Sequence, residues 1–141
     1  MAQHKEIENK TYNERLFSPG LRGFFHNARF KWLYNCFLKR KISNGTILEI
    51  GCNDGRSLKY IPFIPEQYVG YDADWEGGFD EAKENYKSRE NCHFIKSDHP
   101  NTFNVKEEKF DYTLAMETLE HLPIAYLAEY LKKISIATKS Y

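Results

Sequence analysis

The stretch Thr46-Ile47-Leu48-Glu49-Ile50-Gly51-Cys52-Asn53-Asp54-Gly55 decides the fold of this chain. Its first five residues are a largely apolar run, which predicts a short buried strand. Glycines follow at positions 51 and 55, where a chain can turn sharply and approach another group without a Cβ in the way. Asn53, between them, is a residue type that tolerates a positive φ. A strand, a glycine turn and the helical pattern of residues 56–61 together predict the start of a nucleotide-binding βα unit.

Length and composition restrict the classes of protein to which the chain can belong. Its 141 residues suit one domain, and its 20 basic and 20 acidic residues leave no net field to attract nucleic acid. No apolar run approaches the ~20 residues that a bilayer span requires, and residues 1–10 lack the apolar core of a signal peptide. Cys36, Cys52 and Cys92 lack metal-ligand spacing and indicate free thiols. We therefore expect a cytoplasmic protein without nucleic-acid or membrane partners.

Strand and helix patterns alternate after residue 45. The predicted elements are strands at 46–50, 67–72, 92–95 and 110–116, and helices at 79–89 and about 123–138. This alternation predicts an α/β, Rossmann-like domain over residues 45–141, with a mostly parallel sheet and helices on both faces.

Residues 1–44 are predicted to form an N-terminal helical extension, with one long helix at 21–41. Apolar residues recur in it three and four apart, as is typical of an amphipathic helix: Phe24, Phe25, Ala28, Trp32, Leu33, Cys36 and Phe37. The favoured interpretation is that this aromatic face packs in the core. The alternative is that it covers a substrate pocket.

The string Glu49-x-Gly51-x-Asn53-x-Gly55 resembles the first motif of class I S-adenosylmethionine-dependent methyltransferases, an acidic-x-Gly-x-Gly-x-Gly pattern. Asn replaces the middle glycine. Further landmarks follow in order: the strand-end Asp72, Ser97-Asp98 after the third strand, and residues 110–122. Residues 46–138 are thus similar to small-molecule methyltransferases. The resemblance implies S-adenosylmethionine as cofactor, a small-molecule or sugar-type methyl acceptor, and no metal.

The resemblance also assigns roles around the cofactor. It implies that the glycine loop lies against the methionine part, that Asp72 accepts from the ribose hydroxyls, and that Asp98 meets the adenine amine. A side chain added at Gly51 is then expected to enter the space of the cofactor. The residues implied in cofactor binding are Glu49, Gly51, Cys52, Asn53, Gly55, Asp72, Ala73, Trp75, Ser97, Asp98, Met116 and Glu117. Structural alternatives remain: a loop cap for Glu49, a turn acid for Asp98, and cover of the sheet edge for Trp75.

Methyl transfer itself needs little acid–base chemistry, because the sulfonium is already a good electrophile and positioning supplies much of the rate. An oxygen nucleophile can also use a general base, for which His is the usual choice near neutral pH. His121 follows the fourth strand, where ligands bind in such sheets, and is the catalytic candidate. The alternative is a solvent-exposed histidine at a helix start. His26 is a second candidate.

Three other site types share features with this sequence. Residues 72–83 begin like a calcium loop, but Lys83 occupies the twelfth position, where a bidentate acid is required. The glycines Gly51-x-x-x-Gly55 differ from the Gly-x-Gly-x-x-Gly of dinucleotide oxidoreductases. The pair Asp72 and Asp74 resembles the metal-binding acids of nucleotide-sugar glycosyltransferases, which ranks second among enzymes. A non-catalytic cofactor-binding or interaction module of the same fold is the non-enzyme alternative.

Class I methyltransferases have a seven-stranded sheet, whereas this chain has four strand candidates. We therefore expect a piece that stops before the fifth strand, with one edge of the fourth strand uncovered. Because an open sheet edge presents unpaired backbone groups, the sequence predicts a homodimer formed through that edge.

Overall fold

The computed structural model of the protein describes residues 12–105 and 109–139. The helices are α1 (Tyr12–Leu16), α2 (Leu21–Lys39), α3 (Phe79–Tyr86) and α4 (Ile124–Ala137), and the strands are β1 (Thr46–Ile50), β2 (Gln67–Asp72), β3 (Cys92–Lys96) and β4 (Tyr112–Ala115). Short 3₁₀ turns cover Arg56–Lys59, Pro100–Thr102 and Leu119–His121. The expectation about a signal peptide concerns residues 1–10, which lie outside the described ranges.

The four strands form one parallel sheet in the order β3-β2-β1-β4. Glu49 on β1 lies opposite Gly70 on β2 and Leu114 on β4. Since parallel strands end at the same edge, the glycine loop after β1, the end of β2 and the segment after β4 meet there. The predicted Rossmann-like α/β sheet is confirmed.

Alternation along β1 and β2 divides the core into two layers. Ile47 and Tyr68 are fully buried on the face covered by α2 and α3. Leu48 and Val69 point to the opposite face, against Phe103 and α4. Burying one such side chain stabilises the fold by about 1.5–3 kcal/mol, so both layers hold the sheet in place.

None of the helices in the described ranges is long and apolar enough to cross a bilayer.

The prediction for the aromatic face of α2 was wrong for four residues, because Ala28 and three aromatic residues are exposed. Leu33 and Phe37 pack in the core as expected, but Phe24, Phe25 and Trp32 are 69%, 68% and 63% exposed. The helix carries two apolar stripes, because residues 30, 33 and 37 lie on the side opposite to residues 21, 25, 28 and 32. Spacing alone does not show which stripe meets the sheet.

Among the described residues, the edge of β4 that faces away from β1 is paired only at its beginning. Phe110, predicted as part of the strand, forms an isolated parallel bridge with Thr138. The Phe110 N–H donates to the Ala137 carbonyl at 3.0 Å, and the Lys139 N–H donates to the Phe110 carbonyl at 2.8 Å. The chain after α4 therefore starts a ladder beside β4, and the edge along Tyr112–Ala115 has no strand partner in the described ranges.

Candidate functional site

The glycine loop is connected to the end of β2 through Asp72. Gly51, Asn53 and Gly55 have φ angles of 77°, 44° and 70°, so the loop uses the left-handed backbone region repeatedly. Its curvature directs the Asn53 N–H toward Asp72 Oδ2 at 2.8 Å, while the Asp74 N–H donates to Asp72 Oδ1 at 2.6 Å. Two landmarks that the sequence placed far apart in the chain are thus in direct contact.

Asp72 remains able to accept further hydrogen bonds. Partial burial raises the pKa of its carboxyl group, and the backbone N–H groups of Asn53 and Asp74 oppose this rise. Each carboxylate oxygen has a second lone-pair direction beyond the one that its backbone partner uses. The side chain therefore has the acceptor capacity needed for a pair of ligand hydroxyls.

The loop glycines make room for side chains of the protein itself. A Cβ at Gly51 would lie 2.0 Å from Thr118 Oγ1, and one at Gly55 would lie 2.9 Å from the Tyr86 ring. The expectation that a side chain at Gly51 would enter ligand space was wrong, because Thr118 already occupies that direction. Gly55 permits close packing of the loop on α3 and β3, which is the usual role of the last glycine in such a motif.

Glu49 is buried beneath the loop and lines its cavity. It accepts hydrogen bonds from the Ser57 hydroxyl and from the Tyr68 hydroxyl, the latter at 2.5 Å. Burial raises the pKa of Glu49 to about 7, although the hydrogen bonds from Ser57 and Tyr68 oppose the rise. Glu49 thus connects β1, β2 and the 3₁₀ turn after the loop.

An open cavity of ≈ 310 Å³ lies between the glycine loop and the N-terminal helices. This volume includes space that is open to solvent. Its wall consists of the glycine loop, the 3₁₀ turn after it, one residue of β1, one residue directly after β4, and three residues of the α1–α2 region. These residues are Phe17, Arg29, Phe30, Glu49, Gly51, Cys52, Asn53, Asp54, Arg56, Ser57 and Met116. Sequence reasoning missed Phe17, Arg29 and Phe30, for which the only signal was the alternative that α2 covers a pocket.

A charged cluster stands beside the cavity after β4. Arg29 Nη1 donates to Glu117 Oε2, and His26 Nδ1 lies 3.6 Å from the same oxygen. Glu117 has a φ of 52°, an unusual backbone angle for a residue other than glycine. The cluster therefore joins α2 to the segment that follows β4.

Several predicted site residues lie apart from the cavity lining. Trp75 is 52% exposed and Asp98 is exposed. Ser97 is buried, and its hydroxyl lies 2.9 Å from that of Thr102. Ala73 is partly buried after β2, and His121 is exposed in the 3₁₀ turn after β4. Their proposed roles remain predictions.

Comparison with protein families identifies the domain. The family model described as "Methyltransferase domain" matches residues 48–140. The chain belongs to this family. The predicted resemblance is confirmed, and S-adenosylmethionine is the cofactor implied for a methyltransferase domain of this class. A comparison with curated protein sequences gave no significant match.

Several solved structures superpose on most of this chain. The PH0226 protein of Pyrococcus horikoshii OT3 is 23% identical, with a TM-score of 0.66 over 92% of this chain and 62% of its own. A putative S-adenosyl-L-methionine-dependent methyltransferase of Methanococcus maripaludis is 16% identical, with a TM-score of 0.59 over 79% and 53%. The cyclase SpnF is 18% identical, with a TM-score of 0.62 over 77% and 40%. The chain thus spans roughly half the length of these structures, which share its fold.

Proposed function

We propose that the protein binds S-adenosylmethionine at the glycine loop and serves in methyl transfer to a small-molecule or sugar-type acceptor. The observation that carries the proposal is the contact of the loop with Asp72 beside a cavity that Glu49, Gly51 and Met116 line. Bound there, the cofactor supplies an electrophilic methyl group. The loop and Asp72 bind and orient it, and α1 and α2 limit the access of water.

The residues present suit that cofactor in several respects. Asp72 offers acceptors for ribose hydroxyls, and the loop leaves main-chain groups close to the cavity. Exposed Trp75 and Asp98 follow β2 and β3, on the side where an adenine would extend. As the base for an oxygen nucleophile we propose His121 or His26, and His26 has the advantage of its position beside Glu117.

Calorimetry with S-adenosylmethionine and S-adenosylhomocysteine tests the proposal. We expect both to bind, and Asp72→Asn to weaken both by at least ~tenfold, because a charge-assisted hydrogen bond is worth about 1.5–3 kcal/mol. Asn retains one acceptor for the loop, so the fold should persist. Asp80→Asn, the same change at an exposed site on α3, is the matched control. Equal affinity in a folded Asp72→Asn protein would contradict the assignment.

Two alternatives have distinct outcomes, one in an assay of methyl transfer and the other in calorimetry. A non-catalytic module would bind both ligands but transfer no methyl group. The cyclase SpnF shares the fold, so the fold alone does not define the reaction. A glycosyltransferase would bind a nucleotide-sugar with Mn²⁺. That alternative is disfavoured because Asp74, the second acid of the pair, forms an ion pair with Lys96 at 3.0 Å.

We further propose that the chain works in the cytoplasm and forms a homodimer through the outer edge of β4. The three cysteines are free thiols, which suits a reducing compartment. The unpaired edge along Tyr112–Ala115 supports self-association.

A further inference from the structure

Helix α2 presents an apolar stripe to solvent, on the side away from the sheet. Leu21 is 80% exposed, and Phe24, Phe25 and Trp32 are also largely exposed among the described residues. These three lie three, four and eleven positions after Leu21, so the four side chains share one side of the helix over about 17 Å. Single exposed apolar residues are ordinary, whereas a contiguous patch marks an interaction site. We call these four residues the outer stripe.

The same part of the chain is strongly cationic, although the whole chain has no net charge. Of its 20 basic residues, seven lie within residues 15–48, whereas none of its 20 acidic residues does. Lys31 is exposed beside Trp32, and Lys39 and Arg40 are exposed at the carboxyl end of α2. Because opposite potentials attract, the partner of this helix is expected to be anionic.

We propose that α2 binds the surface of an anionic lipid bilayer. The outer stripe enters the boundary between headgroups and acyl chains, and the Lys and Arg side chains lie at the level of the headgroups. Interfacial helices combine Trp, Phe and Leu on one face with Lys and Arg around it, and Trp prefers this depth. The inner stripe of Leu33 and Phe37 keeps the helix on the sheet, so the outer stripe is available in the folded protein.

This contact is peripheral, since no helix within residues 12–105 and 109–139 is long and apolar enough to span a bilayer. It replaces the expectation of a protein without membrane partners, which considered spanning segments and the charge of the whole chain. Neither observation reveals a cationic helix with an apolar outer face. The proposal does not depend on cofactor binding.

The charge and the ring geometry of α2 disfavour two other partners. A second copy docked through the same face would bring two cationic helices together, and like charges in contact are unfavourable. Single-stranded nucleic acid binds where bases stack on aromatic faces, but Leu21 has no ring. Phe24 and Phe25 meet edge to face, with ring centres 5.7 Å apart and an interplanar angle of 76°. Insertion into a bilayer is non-directional and requires no such alignment.

Co-sedimentation of the 141-residue chain with lipid vesicles tests the proposal. We expect binding to vesicles made of phosphatidylcholine and phosphatidylserine in equal parts. Binding to vesicles of phosphatidylcholine alone should be at least ~tenfold weaker, because the attraction of several cations to the anionic surface is absent. Added salt should also weaken binding to the anionic vesicles, since it screens exposed charges.

Substitutions in the outer stripe should separate this face from other apolar surface. Phe25→Ser/Trp32→Ser is expected to weaken vesicle binding by at least ~tenfold, because two large apolar side chains no longer leave water. Ile64→Ser/Ile124→Ser, at two residues that are 75% and 89% exposed elsewhere, is the matched control and should leave binding unchanged. Thermal unfolding should be similar in all three proteins, because the replaced side chains are exposed.

A second pair of variants tests the cations. Lys31→Glu/Lys39→Glu on α2 should weaken binding to the anionic vesicles by at least ~tenfold, because each cation near such a surface contributes to affinity. Lys83→Glu/Lys132→Glu makes the same change in net charge at exposed positions on α3 and α4. This control should bind nearly as well as the unaltered protein.

Fluorescence reports whether the outer stripe itself enters the bilayer. Trp32 and Trp75 are the two tryptophans of the chain, so Trp75→Phe leaves Trp32 as the single probe. Its emission should shift to shorter wavelength on binding, and lipids brominated in their acyl chains should quench it.

The contrary results identify the partner that would take the place of the bilayer. A chain that does not sediment with the anionic vesicles would overturn the proposal, and unquenched Trp32 in a chain that does sediment would show that another face binds. If vesicles are not bound and Phe25→Ser/Trp32→Ser converts a dimer to a monomer, the outer stripe is an interface between copies. If vesicles are not bound and this variant loses affinity for a single-stranded oligonucleotide, the anionic partner is nucleic acid.

Discussion

Glu49 shows how one residue of the loop motif serves both the fold and the site. Its carboxyl group lies between β1, β2 and the turn after the loop, and it lines the cavity. Burial raises the pKa of this group from 4.5 to about 7, so near neutral pH it exists in both protonation states. The folded protein then holds a proton that the unfolded chain has already released.

This difference makes stability depend on pH. Below about pH 4.5 Glu49 is protonated in both the folded and the unfolded state, and its contribution to the free energy of unfolding is fully present. This contribution is lost as pH rises toward 7, because the folded protein binds the proton more tightly than the unfolded chain does. At one pKa unit per 1.36 kcal/mol, the loss approaches ~3 kcal/mol. Glu49→Gln mimics the protonated acid and should avoid the loss. Denaturant unfolding at pH 5 and pH 8.5 should show that the free energy of unfolding of Glu49→Gln increases relative to that of the unaltered protein as pH rises. A constant difference would mean that the Glu49 pKa is ordinary.

At the scale of elements, Asn53 connects the glycine loop to α1 and to the start of α3. Its side-chain amide donates to Asn13 Oδ1 at 3.2 Å and to Glu76 Oε2 at 3.3 Å. Gly78, just before α3, leaves the space that Asn53 uses, since a Cβ there would lie 1.6 Å from Asn53 Oδ1. Asn53 replaces the middle glycine of the motif, and Gly78 leaves the space that its side chain needs.

A double-mutant cycle measures this coupling. Gly78 has a φ of −92°, so Gly78→Ala introduces no backbone strain. Its effect comes mainly from the contact with Asn53, and Asn13 Nδ2 is a further neighbour at 3.0 Å. We expect Gly78→Ala to destabilise the protein by about 1–3 kcal/mol, the usual range for overpacking. In an Asn53→Gly background the same change should be close to neutral, giving an interaction energy within the ~0.5–3 kcal/mol typical of residues in contact. Additive effects would show that the loop and α3 adjust independently.

The elements also show what the sequence could predict. The strands were predictable because each is a short apolar run bounded by turn residues, and β2 begins and ends where expected. Helix α1 was not predicted, since Tyr12–Leu16 is a single short segment in a polar stretch. The cavity cover of Phe17, Arg29 and Phe30 was not predictable either, because it depends on how α2 crosses the loop. Periodicity gives the faces of a helix but not its neighbours.

At the scale of the whole molecule, the pleat of β4 shows which backbone groups its outer edge offers. Phe110 directs its N–H and carbonyl away from β1, toward residues 137–139, whereas the Asp111 N–H donates to Thr46 on β1 at 3.0 Å. Because the backbone N–H and C=O groups of successive residues in a strand alternate in direction, those of Tyr112 and Leu114 point away from β1, like those of Phe110. Thr113 points toward β1, as Asp111 does. An added strand would thus pair with Tyr112 and Leu114.

Self-association through this edge should therefore protect alternate amides. We expect sedimentation of the 141-residue chain to show a dimer at micromolar concentration, most simply with two-fold symmetry. Hydrogen exchange at Tyr112 and Leu114 should slow as concentration rises, because dimer formation would supply their missing acceptors. The Thr113 amide, directed toward β1, is the internal control and should exchange slowly at every concentration. A monodisperse monomer at high concentration would contradict the proposal, and protected Tyr112 and Leu114 amides in that monomer would show that one chain covers its own edge.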